Sequence, residues 1–216
     1  MTIIAFGYKA GVGKDVAAKY LVDKYGFTKV AFADNLKECC MAVCGLTAPQ
    51  VFDGDKKQEL FNTPFVFDEK YHLGVLSWMA CSLGCSVADF EKTGFSSIGA
   101  VLNTPRDILQ FVGTDVMRYH SNNYHVEVCF SGMAKNKNYV ISDVRFRNEA
   151  EAVVSACGYC VKINRPPREM SKTNDAHASE VDLDSWDGWY SEIDNTLEGF
   201  EVFYKNIDNL LERLNV

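Results

Sequence analysis

Near the amino end stands Gly7-Tyr8-Lys9-Ala10-Gly11-Val12-Gly13-Lys14-Asp15, which has the composition and spacing of a phosphate-binding loop, G-x-x-x-x-G-K-[ST]. Glycines let the backbone curl until its N–H groups point at phosphate oxygens. The start of the following helix adds positive potential, and Lys14 supplies a mobile ammonium for the β and γ phosphates. Two positions depart from the motif. Its first glycine falls on Tyr8, with Gly7 displaced by one, and Asp15 stands where a Ser or Thr usually helps to hold Mg²⁺. Without a ligand the same residues would be a Gly-rich hairpin or cap. The apolar run Thr2 to Phe6 before them and the spacing of Val16, Ala17, Tyr20 and Leu21 after them supply the strand and helix that a phosphate loop needs.

Two further groups could act on the same chemistry. Asp143 directly follows the apolar stretch Tyr139-Val140-Ile141-Ser142, and an acid there can hold Mg²⁺ or its water shell; a helix N-cap is the plain alternative. Arg145, Arg147 and Glu149 come next, where a guanidinium would lie at the carboxyl edge of a parallel sheet, against the bland reading of surface ion pairs. Arg106 and Gln110 are four apart, so on a helix a phosphate-binding fork and a base-reading amide would project from one face; solvated side chains are the alternative.

The elements that must position these residues alternate. After the first strand, loop and helix, Gly26 ends the helix, Thr28 to Ala33 reads as a second strand, and Asp34, Asn35 and Lys37 enter another helix. From Leu36 to about Phe130 the chain reads as helix and loop with no strand alternation, a long helical insertion. The rhythm returns with Tyr139–Ser142, a helix containing Ala150, Val153 and Val154, the strand Tyr159 to Ile163, a loop at Pro166 and Pro167, a last strand from Trp189 to Ile193, and an amphipathic helix from Leu197 to Leu214. Alternating strands and helices imply an α/β fold with a parallel sheet covered on both faces.

Composition narrows the class. The 216 residues carry a net charge of −7, from 22 Lys and Arg against 29 Asp and Glu, which argues against a protein that coats nucleic acid. The start lacks the basic flank of a signal peptide, so a reducing cytoplasm is expected, with no membrane association. The 8 Cys are scattered and are expected to be mostly buried small hydrophobes. Cys157 and Cys160 have the spacing of a redox pair, or with Cys81 and Cys85 of a zinc site, but they follow a helix and precede a strand, the reverse of the order that activates a thiolate. Trp78, Trp186 and Trp189 are read as packing residues in preference to base-stacking platforms.

Taken in order, several blocks resemble the phage-type deoxynucleoside monophosphate kinases of the P-loop nucleoside monophosphate kinase superfamily. They are the loop ending Gly13-Lys14-Asp15, Phe32-Ala33-Asp34-Asn35-Leu36-Lys37, Arg106 to Asp115 with Arg118, Ile141 to Glu149, Ile163-Asn164-Arg165, and His177-Ala178-Ser179-Glu180. The resemblance runs through nearly the whole chain. It implies one P-loop kinase domain with a five-stranded parallel sheet flanked by helices, its core at 1–34 and 135–216. A helical insertion at about 35–134 would receive the nucleoside monophosphate, and a lid would span about 165–182. ATP and Mg²⁺ are the implied cofactors. Lys9, Ala10, Gly11, Val12, Gly13, Lys14, Asp15 and Val16 would hold ATP, and Asp15 and Asp143 the Mg²⁺, directly or through water. Phe32, Asp34, Lys37, Arg106, Gln110, Arg145 and Glu149 would hold the acceptor. Lys14, Arg145, Arg165 and Arg168 would be catalytic, with Lys172 a further lid cation. The partners are then small nucleotides, with relatives suggesting a homodimer.

Other readings keep the same loop. A related P-loop kinase could act on a modified pyrimidine nucleotide, a nucleoside or a base within DNA. Tyr8, and Val16 where family members usually carry Thr, leave room for a nucleotide-binding regulator without catalysis.

Overall fold

The computed structural model describes residues 1–166, 178–196 and 199–216. Arg168, Lys172 and His177, and the expected helix start at Leu197, lie outside the described residues. The chain opens with β1 (Ile3–Gly7), α1 (Lys14–Tyr25) and β2 (Thr28–Val30). It continues through α2 (Asp34–Cys44), α3 (Ala48–Phe52), β3 (Phe65–Phe67), α4 (Glu69–Leu83), β4 (Ala100–Leu102), α5 (Pro105–Gln110) and α6 (Tyr124–Ser131). It then runs through β5 (Tyr139–Val144), α7 (Arg147–Ser155), β6 (Tyr159–Asn164), α8 (Ala178–Val181), β7 (Ser191–Asp194) and α9 (Phe200–Leu214). Two units result: Met1–Phe32 with Gly132–Val216, and Ala33–Ser131.

The first unit is built on a five-stranded sheet of order β2-β5-β1-β6-β7 with every pairing parallel. β1 lies in the middle, and all five of its residues are buried, which is why Ile3 to Phe6 read as an unbroken apolar run. Ile4, Phe6, Val140, Val161 and Ile163 from the strands pack with Ala17, Ala18 and Leu21 of α1 and Phe203, Ile207, Leu210 and Leu211 of α9. The spacing of those α9 positions is that of one helix face. α1 stops at Gly26, whose φ of 71° lets its N–H turn back onto the Leu21 and Val22 carbonyls, a conformation most side chains avoid. Strand order reverses at β1, so the loop leaving it opens into the crevice beyond the strand ends where α/β sheets receive ligands.

The second unit packs its helices around Leu36, Cys39, Cys40, Val51, Phe67, Met79, Ile108, Val116 and Tyr124. The sequence reading of this stretch as helix and loop alone is corrected: β3 and β4 pair antiparallel, with Val66 opposite Val101. Each strand is only three residues long, too short for alternation to register, although Phe67 is buried and Val66 half exposed as a strand requires. Residues Phe111–Arg118, following α5, form a π-helical stretch that no sequence signal announced.

Other boundaries also shift. β2 ends at Val30 and not at Ala33, and the last strand begins at Ser191 and not at Trp189. Asp143 lies inside β5 and is not a helix cap, since α7 starts only at Arg147. Half of the cysteines are buried (Cys39, Cys40, Cys44 and Cys160), where most were expected to be, because Cys81, Cys85 and Cys157 fall at helix surfaces or ends. Burial pushes the Cys160 thiol up to about 12, the opposite of what a reactive CxxC needs. Among the described residues no helix is long and apolar enough to cross a membrane.

Candidate functional site

The loop between β1 and α1 keeps the backbone that its motif calls for. Gly11 and Gly13 have φ of 72° and 109°, and Tyr8 has φ 95°. Tyr8 therefore adopts a glycine-like conformation at the position where the motif places a glycine, at a strain of about 1–3 kcal/mol for a residue with a Cβ. Its ring lies under two ammonium groups, Lys9 Nζ at 5.2 Å and Lys162 Nζ at 4.7 Å from the centroid, contacts that help to hold it there.

Lys14 is buried at the start of α1. Its Nζ donates to the Tyr8 carbonyl at 2.9 Å and the Lys9 carbonyl at 2.5 Å, closing the loop on itself. A trans peptide points its C=O and N–H in opposite directions, so tying the Lys9 carbonyl to Lys14 turns the Ala10 N–H away from the lysine. That N–H meets an anion: Glu180 Oε2 accepts it at 2.9 Å. Burial pushes the Lys14 pKa down to about 7, and the positive charge of Arg145 adds to the effect, while Glu180, Asp143 and Asp15 oppose it.

Glu180, on α8, ties several of these groups together. Its other carboxylate oxygen pairs with the Arg145 guanidinium, and its backbone carbonyl accepts from Lys9 Nζ at 2.6 Å. Lys9 also pairs with Asp184 at 2.6 Å. The sequence contained Glu180 within a recognisable block without indicating a role; its contact with a loop 170 residues earlier has no local signature.

The end of β5 delivers the next group. Gly7 pairs with Val144, and the Tyr8 N–H donates to the Val144 carbonyl at 3.3 Å, so Asp143 and Arg145 flank the loop. Asp143 Oδ1 accepts the Phe32 N–H at 2.8 Å. Glu149 is buried, and its Oε2 accepts the N–H groups of Arg145 at 2.8 Å and Phe146 at 3.1 Å, capping α7 and fixing the turn that carries Arg145. Asp15 is exposed and pairs with Lys29 at 2.6 Å. Desolvation raises its pKa, but hydrogen bonds from Lys29 and Ser142 and the charges of Lys29 and Lys14 outweigh that and hold it below the usual carboxylate value. Arg165 reaches back from the end of β6 to the Gly11 carbonyl at 3.4 Å, and its Nε is buried with no partner among the described residues. Val16 is half-buried and packs against the core of this unit.

The second unit holds a separate group. Thr104 caps α5 with its Oγ1 on the Asp107 N–H at 3.1 Å, Asp107 Oδ2 accepts the Asn103 and Thr104 N–H groups, and Pro105 takes the first turn. These caps fix Arg106 and Gln110 one turn apart on α5. The Arg106 Nε is buried and, among the described residues, donates to nothing. At the start of α2, Lys37 pairs with Asp34 at 2.9 Å. Asn35 lies between them. Its Oδ1 accepts from Trp78 Nε1 at 3.0 Å and Tyr124 Oη at 2.5 Å, and its amide donates to Ser82 Oγ at 3.1 Å, anchoring that turn to α4 and α6. Trp78 is thus a structural residue, as read from the sequence; Trp186 and Trp189 pack edge to face, with Trp189 against Gly7.

No protein-family model matches the chain. Two solved structures are similar over most of its length: a sugar kinase from Janibacter sp. HTCC2649 and a dephospho-CoA kinase from Campylobacter jejuni. The first is 11% identical with TM-score 0.40, covering 100% of this chain and 95% of that one; the second is 13% identical with TM-score 0.43, covering 98% and 96%. Neither likeness is close enough to bear on the site. A curated protein of Acanthamoeba polyphaga mimivirus, named "Putative deoxynucleotide monophosphate kinase", is 32% identical over 199 residues, 86% of this chain and 83% of that protein. Identity of that extent along most of both proteins fixes the family: the chain is a phosphotransferase acting on nucleotides and belongs to the deoxynucleotide monophosphate kinases.

Proposed function

We propose that the protein transfers the γ-phosphoryl group of ATP to a deoxynucleoside 5′-monophosphate, giving the diphosphate and ADP. The observation that carries this reading is the anion already seated on the loop: the Ala10 N–H holds a carboxylate beside Lys14 and Arg145, where a phosphate oxygen would be held by the same groups. Lys9 to Val16 would receive the ATP phosphates. A phosphate oxygen of the acceptor forms a bond to the γ phosphorus as the bond to the β-bridging oxygen breaks, and charge spreads over the transferring group. Lys14, Arg145 and Arg165 would meet that charge, together with Arg168, which lies outside the described residues.

Asp15 and Asp143 offer hard carboxylate oxygens, the donors that suit Mg²⁺, and both act electrostatically on Lys14. When bound, Mg²⁺ supplies charge neutralisation at the phosphate oxygens. In the second unit the Arg106 Nε, without a partner among the described residues, marks a cation with unmet donor capacity, suited to the acceptor phosphate. Gln110 on the same helix would meet the base, and Asp34 and Lys37 would attend the acceptor. The reading includes a cytoplasmic location, a homodimer and no stable nucleic-acid complex, in keeping with the net charge of −7.

The test is ADP release from ATP and Mg²⁺ with each deoxynucleoside monophosphate, including 5-modified pyrimidines, offered separately. Turnover that depends on the monophosphate is the expected result and reads out base preference. ATP binding without stimulation by any monophosphate would overturn it and turn attention to nucleosides and duplex DNA.

A further inference from the structure

Asn195 lies one residue past the end of β7, in no recognised motif, yet it is buried at 4% exposure and meets the phosphate loop from the protein side. Its N–H donates to the Asn164 carbonyl at 2.8 Å, locking its backbone to the end of β6. Its Nδ2 donates to the Val12 carbonyl at 2.8 Å, across 183 residues of sequence. The same amide closes off Gly13: a Cβ there would collide with Nδ2, and Gly13 has φ 109°. Glycine is therefore required at Gly13 for two separate reasons, backbone conformation and the space that Asn195 takes.

The consequence follows from peptide geometry. The Val12–Gly13 peptide is trans, so fixing the Val12 carbonyl on Asn195 aims the Gly13 N–H away from the protein interior. Lys14 does the same for Ala10 through the Lys9 carbonyl, and the Ala10 N–H does hold an anion. We propose that Asn195 is a positioning residue that presets the Gly13 N–H as a donor to the nucleotide's phosphates. The inference rests on the loop being the ATP site. The donor must be an N–H or O–H, since an acceptor facing the Val12 carbonyl would repel it and release the peptide to rotate.

Asn195→Asp and Asn195→Ala separate positioning from space filling. The probe is inorganic tripolyphosphate, titrated calorimetrically into the full chain at about pH 8 and about pH 5.5, each variant compared with the unaltered protein at the same pH so that other titrating groups cancel. At the higher pH both variants should bind about tenfold or more weakly, the expected result of leaving a buried carbonyl unsatisfied. At the lower pH the buried carboxyl introduced by Asn195→Asp regains a proton and an O–H donor, so its deficit should shrink while that of Asn195→Ala persists. Wild-type binding in Asn195→Ala at both pH values, or equal deficits in the two variants at both, overturns the role. If the unaltered protein binds no tripolyphosphate, the ATP site and this role both fall; if it binds and the variants match it, only the role of Asn195 falls. Should either variant fail to fold, the Gly13 amide of the unaltered protein decides by NMR: tripolyphosphate should shift that resonance and slow its hydrogen exchange, and no change on binding overturns the proposal.

Discussion

The carboxylate of Glu180 accepts the Ala10 N–H at 2.9 Å while pairing with Arg145, so the chain lays an acidic side chain of its own on the loop assigned to phosphate. A nucleotide phosphate and this carboxylate then compete for the same donors. Glu180→Gln removes the charge but keeps the shape, and should tighten ATP and tripolyphosphate binding by about fivefold, measured by calorimetry. Weaker binding would mean that Glu180 serves the bound state by holding Arg145 in place.

Lys14 predicts a pH signature. Its pKa in the folded chain is about 7, against 10.5 for an unperturbed lysine. Between these values the unfolded chain binds a proton that the folded one has released, so this group makes stability rise with pH across that window, by up to about 1.4 kcal/mol per pH unit. Below pH 7 both states are protonated and the contribution is flat. Urea unfolding from pH 7 to 9.5 should show this rise, and Lys14→Met should remove it.

An arriving phosphate reverses the imbalance by returning a negative partner to Lys14. ATP binding at pH 8 should therefore take up a proton, seen as a dependence of the binding heat on the ionisation enthalpy of the buffer. Lys14→Ala should abolish the uptake and the transfer reaction while leaving the circular dichroism of the fold unchanged.

Arg106 is assigned to the acceptor alone. Arg106→Ala should raise the KM for the deoxynucleoside monophosphate by about 10- to 100-fold and leave the KM for ATP within about twofold. Equal loss of both affinities would contradict the assignment.

Asn35 is a structural hub of the second unit. Asn35→Ala leaves the Trp78 indole N–H and the Tyr124 hydroxyl without their shared acceptor, so stability should fall by about 1–3 kcal/mol in denaturant unfolding. Because Asp34 and Lys37 share its helical turn, the acceptor KM should rise as well, with the KM for ATP unchanged.

Local periodicity and spacing made much of this protein legible. Thr2 to Phe6 read as a strand, Gly13-Lys14 as a loop closing into a helix, and Arg106 with Gln110 as one helical face, because each pattern is complete within about ten residues. Where the pattern was shorter than its own period, as in Phe65–Phe67 and Ala100–Leu102, the sequence was silent and only pairing across the chain made strands. The same limit applied to the site. Lys14 and Arg145 were named from motifs, but Glu180 on Ala10, Asn195 on Val12 and Glu149 beneath Arg145 are contacts of single polar atoms. Two of those three span more than 150 residues, and nothing in the intervening residues encodes them. By itself the sequence determined which of the longer backbone segments form strand, loop and helix, since neighbouring residues set those preferences. Only the tertiary structure decided which way each loop peptide faces, because that is fixed by partners the fold brings in from the far end of the chain.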